Sequence, residues 1–148
     1  MHHVIIGAGP AGVTACDTLR KLDPGAEITL VGDEPEPPYS RMAIPYLLVD
    51  KIGEEGTYLR RDADHYDRRR IAVSRARVRS VDSAGQRLHL SDGAALDYDR
   101  LLIATGSSPN MPSIPGIESE GVLPCWTLED ARGIAARAGR GSRVVLLG

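Results

Sequence analysis

The run His3-Val4-Ile5-Ile6-Gly7-Ala8-Gly9-Pro10-Ala11-Gly12 opens the chain and decides how it folds. An apolar stretch leads straight into Gly-x-Gly-x-x-Gly and then into helical periodicity, because Val13, Cys16, Leu19 and Leu22 recur three residues apart and mark one buried stripe. In that setting each glycine has a physical role. Gly7 lets the chain turn sharply off the strand, Gly9 leaves room for a pyrophosphate against the backbone, and Gly12 lets helix and strand pack closely. The amides at the helix start, around Pro10 and Ala11, then present the positive end of the helix dipole to the phosphates. The chain turns at Asp23-Pro24-Gly25, and Ile28-Thr29-Leu30-Val31 reads as a second parallel strand. That strand ends at Gly32-Asp33-Glu34, about 20 residues beyond Gly12, where such βαβ units carry a ribose-binding acid. The expectation is an α/β, Rossmann-like fold that holds a dinucleotide. The plainer reading is a tight strand-to-helix turn that merely needs small residues.

Outward from this corner, residues 32–40 contain Pro35, Pro37 and Pro38 and must be an extended connection. Residues 41–52 carry apolar Met42, Ile44 and Tyr46-Leu47-Leu48-Val49, which predicts a short helix with one apolar face. Residues 62–70 read as another helix. Segments 71–73, 76–82, 86–90 and 95–98 are β-rich, with Ala84-Gly85 and Ser91-Asp92-Gly93 as turns, which predicts a small antiparallel β-layer beside the parallel sheet. Leu101-Leu102-Ile103-Ala104 is a short unbroken apolar run, as expected of a buried parallel strand, and it ends in Thr105-Gly106. After a proline-rich loop, Thr127-Leu128-Glu129-Asp130 has the form of a capping box opening a helix to about Ala138. Arg143-Val144-Val145-Leu146-Leu147-Gly148 repeats the pattern of the first strand running into glycine. Residues 1–142 are therefore read as the N-terminal portion of one dinucleotide-binding domain, and 143–148 as the first strand of a second.

A chain of 148 residues suits one domain, long enough to bury roughly two-thirds of its unfolded surface. A net charge of −2 and an isoelectric point near 6.1 argue against a nucleic-acid or polyanion binder. The arginines at 60–61 and 68–70 alternate with Asp62, Asp64 and Asp67 and read as a solvated face with mixed ion pairs. Cys16 and Cys125 have neither metal nor redox spacing, and Cys16 falls on the apolar stripe, so an inert buried thiol and no metal site are expected. The first strand begins almost at the first residue and no apolar run is long enough to cross a membrane. The expectation is a cytoplasmic protein without a membrane partner.

Four motifs together carry a resemblance that covers nearly the whole chain. They are Val4-Ile5-Ile6-Gly7-Ala8-Gly9-Pro10-Ala11-Gly12, Gly32-Asp33-Glu34-Pro35, Pro38-Tyr39-Ser40-Arg41, and Tyr98-Asp99-Arg100-Leu101-Leu102-Ile103-Ala104-Thr105-Gly106-Ser107-Ser108-Pro109. The chain resembles the FAD-binding part of the pyridine nucleotide-disulfide oxidoreductase family, in its ferredoxin reductase, NADH oxidase and nitrite reductase-like branch. The resemblance implies that Gly7, Gly9, Pro10, Ala11 and Gly12 line the FAD pyrophosphate, and that Asp33 accepts from the adenosine ribose, with Glu34 next in line. It implies that Val78 holds the adenine through its main chain. Arg41 would bind the diphosphate or ribityl region, and Ala104, Thr105 and Gly106 would lie beside the cofactor. Arg41 as a surface ion-pair partner and Thr105 as a strand cap are the plain alternatives. The implied parent is an NAD(P)H-dependent flavoprotein oxidoreductase passing electrons through FAD to a protein or small acceptor, with a homodimer among the assemblies allowed. The 148-residue piece alone would be inactive with NADH. The rival is a non-catalytic FAD or dinucleotide-binding module for sensing or structural support. The flavin carries the hard chemistry in such enzymes, so no acid or base residue is singled out.

Three positions depart from the family pattern. Met42 stands where related disulfide and peroxide reductases carry a redox cysteine, and a thioether forms no thiolate, which excludes cysteine chemistry through this site. Tyr46 stands near the position of a lysine beside the flavin in the ferredoxin reductase-like branch. Trp126 stands where many relatives have an arginine.

Overall fold

The computed structural model describes residues 1–147, in two compact units: Met1–Ser40 with Tyr58–Gly106, and Arg41–Thr57 with the chain from Ser107 onward. The first unit holds β1 (His2–Ile6), α1 (Pro10–Leu22), β2 (Glu27–Gly32), α3 (His65–Arg68), β3 (Ile71–Arg75), β4 (Val78–Asp82), β5 (Arg87–Leu90), β6 (Ala95–Asp97) and β7 (Arg100–Ile103). The second holds α2 (Ile44–Leu48) and α4 (Leu128–Arg137), with 3-10 turns at Arg41–Ala43 and Glu54–Thr57.

Four strands form an all-parallel sheet in the order β3-β2-β1-β7, with Ile5 registered against Leu30 on one side and Leu102 on the other. Alternate residues of β1 enter different cores, as the two-residue period of a strand requires. Ile5 joins Val13 and Cys16 of α1 with Ile28, Leu30 and Ile71, whereas Val4 and Ile6 join Val31, Ala76, Leu88 and Leu90 beneath the antiparallel sheet β4-β5-β6. Both faces of β1 and β2 are thus covered, and each fully buried Ile or Leu contributes about 2 kcal/mol of transfer free energy.

The C-terminal end of α1 is fastened by side chains. The Arg20 guanidinium donates to the carbonyls of Arg69 (2.7 Å), Arg70 (2.8 Å), Pro24 (3.0 Å) and Ala26 (2.8 Å) and is only 9% exposed. This ties the α1–β2 turn to the turn that precedes β3, where Arg70 has a φ of 50°. Asp17 accepts from Arg60 Nε at 3.0 Å and lies 3.0 Å from His65 Nε2, joining α1 to the start of α3. Burial of this carboxyl opposes its ionisation, but hydrogen bonds from Arg60 and His65 outweigh that and hold Asp17 below the ordinary carboxylate range.

Several sequence expectations are corrected. Residues 71–73 belong to the parallel sheet, not to the antiparallel layer, because the Arg20 staple delivers β3 to the free edge of β2. The helix expected over 62–70 is one turn, His65–Arg68, ended where Arg70 turns left-handed. Leu102 and Ile103, expected to be buried, are 43% and 62% exposed, because β7 is the outer strand of its sheet. Residues 143–147 pair with no strand among the described residues, which neither supports nor overturns the second domain expected to begin there, and Gly148 lies outside the described residues. Three expectations hold: the antiparallel layer, the buried Cys16 thiol and the α4 capping box. In that box Asp130 N donates to Thr127 Oγ1 at 3.1 Å and Thr127 N donates to Asp130 Oδ2 at 2.8 Å.

Candidate cofactor-binding corner

The corner at the top of β1 is built almost entirely from backbone. The β1 ladder ends as Gly7 N donates to Val31 O at 2.8 Å, and Ala104 N donates to Ile6 O at 2.7 Å from the other side. Gly7 has a φ of +114°, and a side chain there would put its Cβ 2.2 Å from the Ala104 carbonyl oxygen. Position 12 is equally restricted: a Cβ would fall 1.9 Å from the Gly7 oxygen. Only glycine lets the first turn of α1 press against the turn that feeds it.

At Gly9 the situation reverses, because a Cβ there would meet nothing within 4 Å. Gly9 is the N-cap of α1, offers no side-chain oxygen, and is followed by Pro10 at the first helical position, with no acidic residue in the first turn. Its carbonyl accepts from Val13 N at 3.0 Å. By helix geometry the amides of Ala11 and Gly12 have no intrahelical acceptor. The corner therefore combines unpaired donors, the positive end of a 13-residue helix and open space above a glycine, which is the cradle a diphosphate fits.

The end of β2 runs against this turn, since a Cβ on Gly32 would lie 2.7 Å from the Ala8 methyl. The two acids that follow differ. Glu34 is half-buried and accepts from the hydroxyl of Tyr39, whereas Asp33 is exposed. Asp33 is thus the acid whose carboxylate faces solvent at the strand end, and Glu34 is tied into the connection that Tyr39 anchors. Ala104, Thr105 and Gly106 pass on the other side, and Gly106 has a φ of +70°. The structure brings Gly7, Gly9, Pro10, Ala11, Gly12, Ala104 and Thr105 together. Val78 lies apart, at the start of β4, paired with Leu90 and packed with the Val31 and Ile6 cluster. A groove of about 500 Å³ runs along the flank between α1 and β7, past Ala11, Thr14, Ala15, Leu101 and Leu102. It is apolar, with no cluster of converging donors, and is a property of the open sheet edge rather than of the glycine corner.

In the second unit Arg41 opens the 3-10 turn before α2, and its guanidinium lies over the Trp126 ring, with Cζ 5.4 Å from the centroid. Met42 and Tyr46 are 82% and 54% exposed on the same segment. Three features escaped sequence reasoning: the Arg41–Trp126 stack, the Tyr39–Glu34 bond and the Arg20 staple. A buried arginine within the apolar stripe of α1 was the one available hint of the last.

The parallel sheet with its glycine corner defines a Rossmann-type α/β fold. The family model of the pyridine nucleotide-disulphide oxidoreductases matches residues 1–148, and the chain belongs to that family. It is 40% identical over 146 residues to the probable ferredoxin reductase CtmF of Castellaniella defragrans, covering 98% of this chain and 36% of that protein. It is 38% identical over 149 residues to the ferredoxin–NAD(+) reductase component of the anthranilate 1,2-dioxygenase system of Burkholderia cepacia, again covering 98% and 36%. Among solved structures, the covalent putidaredoxin reductase–putidaredoxin complex superposes with a TM-score of 0.81 at 36% identity, over 91% of this chain and 33% of that one. The chain thus spans about a third of the length of these relatives. Among the described residues no helix is long and apolar enough to cross a membrane, and no group of acids, histidines and cysteines could hold a metal ion.

Proposed function

We propose that this chain is the FAD-binding part of an NAD(P)H-dependent flavoprotein reductase that delivers electrons to a protein acceptor of the ferredoxin type. The observation that carries the reading is the bare N-terminus of α1 beneath the open space at Gly9. The amides of Ala11 and Gly12 would hold the cofactor diphosphate, and the exposed carboxylate of Asp33 would accept from the adenosine ribose. Arg41 would neutralise phosphate charge, Val78 would offer its main chain to the adenine, and Ala104, Thr105 and Gly106 would border the cofactor. Glu34, held by Tyr39, would act by fixing the connection rather than by binding the ribose itself. When bound, FAD supplies the hydride-accepting and electron-releasing chemistry; the protein orients it and excludes competing reactions. Met42, at the redox-cysteine position, leaves no protein thiol in that path, which favours direct transfer to an external acceptor over disulfide or peroxide reduction.

The family pattern and the β1-like sequence of residues 143–148 support a second domain beginning there, which would bind NAD(P)H. Both cysteines are free thiols, in keeping with a cytoplasmic compartment. The two ferredoxin reductase relatives and the putidaredoxin complex support the choice of acceptor; a homodimer is a further proposal, resting on the family alone.

The test is anaerobic addition of NADH to the purified full-length protein loaded with FAD. Bleaching of the flavin absorbance, reversed by an oxidised ferredoxin-type protein, is the expected result. A flavin that binds but stays oxidised would favour the non-catalytic module, and failure to take up FAD would sink both readings.

A further inference from the structure

The connection after β2, residues 33–40, carries Asp33 and is poorly equipped to hold itself in place. Pro35, Pro37 and Pro38 have no backbone N–H, and the segment forms neither helix nor strand. Its fixings come from residues 58–60 of the same unit. Leu59 N donates to Pro38 O at 2.9 Å, and Tyr39 and Tyr58 form an isolated antiparallel bridge. The Tyr39 side chain is buried, and its hydroxyl donates to Glu34, the neighbour of Asp33. Leu59 packs against the core cluster of Ile5, Val13 and Leu30. Arg60 then ties this stretch to α1, where its Nε donates to Asp17 Oδ2 at 3.0 Å.

We propose that Arg60 and Tyr39 are positioning residues for the adenosine ribose: together they brace Asp33 against α1, the helix whose N-terminal amides would take the diphosphate. The contacts run without a gap from Asp17 through Arg60, Leu59 and Pro38 to Tyr39 and Glu34. Ribose and diphosphate are joined by a short covalent link, so the acid and the amide donors must keep one separation for both contacts to form at once. A carboxylate already braced at that separation loses less conformational freedom on binding than one on a free loop. Asp33 itself stays exposed, so the brace fixes its backbone without occupying its carboxylate. The proposal rests on the FAD reading given above, with Asp33 as the ribose acid.

The test is FAD affinity of the full-length apoprotein by calorimetry. The proteins compared are the wild type, Tyr39→Phe, Arg60→Met, Asp33→Ala, and each of the first two variants combined with Asp33→Ala, with thermal melting of all. Tyr39→Phe and Arg60→Met should each bind FAD about three- to tenfold more weakly, the loss expected when one hydrogen bond to the ligand is no longer held in place. In the Asp33→Ala background neither change should weaken binding further, because no carboxylate is left to position. If Arg60→Met does not fold, Tyr39→Phe, which removes a single oxygen atom, carries the test alone. An equal loss in both backgrounds would make the brace purely structural and overturn the proposal. No loss in either background, or an Asp33→Ala variant that binds like the wild type, would overturn it too, and the FAD reading would stand. A wild type that takes up no FAD would overturn the FAD reading, and this proposal with it.

Discussion

At its N-terminus α1 has a cap without a side chain, no acid in its first turn and open space above Gly9, whereas near its C-terminal end Arg20 donates hydrogen bonds to the carbonyls of Pro24, Ala26, Arg69 and Arg70. The same helix thus leaves its orphan donors bare and has the nearby acceptors saturated. A folded chain has strong reason to satisfy buried polar groups, so bare donors at a helix end that small residues keep clear are a sign of a ligand. The fastened end supplies stability, and on the proposed reading the open end holds the diphosphate of the cofactor.

Disturbing the fastened end has the largest expected effect on stability. Arg20→Met leaves several carbonyls without donors and lowers unfolding free energy by about 4 kcal/mol, measured by urea titration. A change within 1 kcal/mol would show that water replaces the guanidinium and that the staple is dispensable.

Gly12→Ala tests the backbone contact beneath the open end. The added methyl must displace the Gly7 carbonyl, at a cost of about 3 kcal/mol by the same titration.

Gly9→Asp separates the two roles most sharply. Aspartate is a good N-cap and favours the helix dipole, so stability should hold or rise by up to about 1 kcal/mol. The same carboxylate occupies the phosphate position, and FAD affinity should fall at least tenfold. Lower stability together with unchanged affinity would invert the assignment of roles.

Asp17→Asn should cost about 1–2 kcal/mol at neutral pH through weakened charge-assisted bonds to Arg60 and His65. Because Asp17 is held below its unfolded value, its contribution is complete above about pH 4 and fades as pH falls through the folded value. The variant and the wild type should therefore converge in acid. Divergence in acid would contradict the sign of the shift.

The smallest test concerns the middle of the helix. Burial, with Asp17 nearby, pushes the Cys16 thiol up to about 12, while Cys125 is exposed. A thiol reagent at pH 8 should modify one cysteine in the native protein and both in urea.

The open end of α1 was legible in the sequence because strand, turn and helix are consecutive, and the glycine spacing encodes contacts only a few residues apart. The α4 capping box was legible for the same reason. The fastened end was not: Arg20 reaches Arg69 across 49 positions and Asp17 reaches Arg60 across 43, and no local pattern predicts such partners. The place of β3 in the parallel sheet was hidden with them, because the staple that delivers it is long-range. Leu102 and Ile103 misled in the other direction. Their apolar run matches a buried strand, but a strand is buried by its neighbours, and β7 has a partner on one side only. The two acids after β2 were indistinguishable by spacing until Tyr39 was seen to engage Glu34.

Selective ¹⁵N-glycine labelling of the full-length apoprotein, followed by titration with FAD, observes the corner directly. The account predicts a large, saturable shift of the Gly12 amide with an affinity matching calorimetry, while Gly85 and Gly93, in the turns of the antiparallel layer, stay in place. FAD binding with the Gly12 amide unmoved would contradict it.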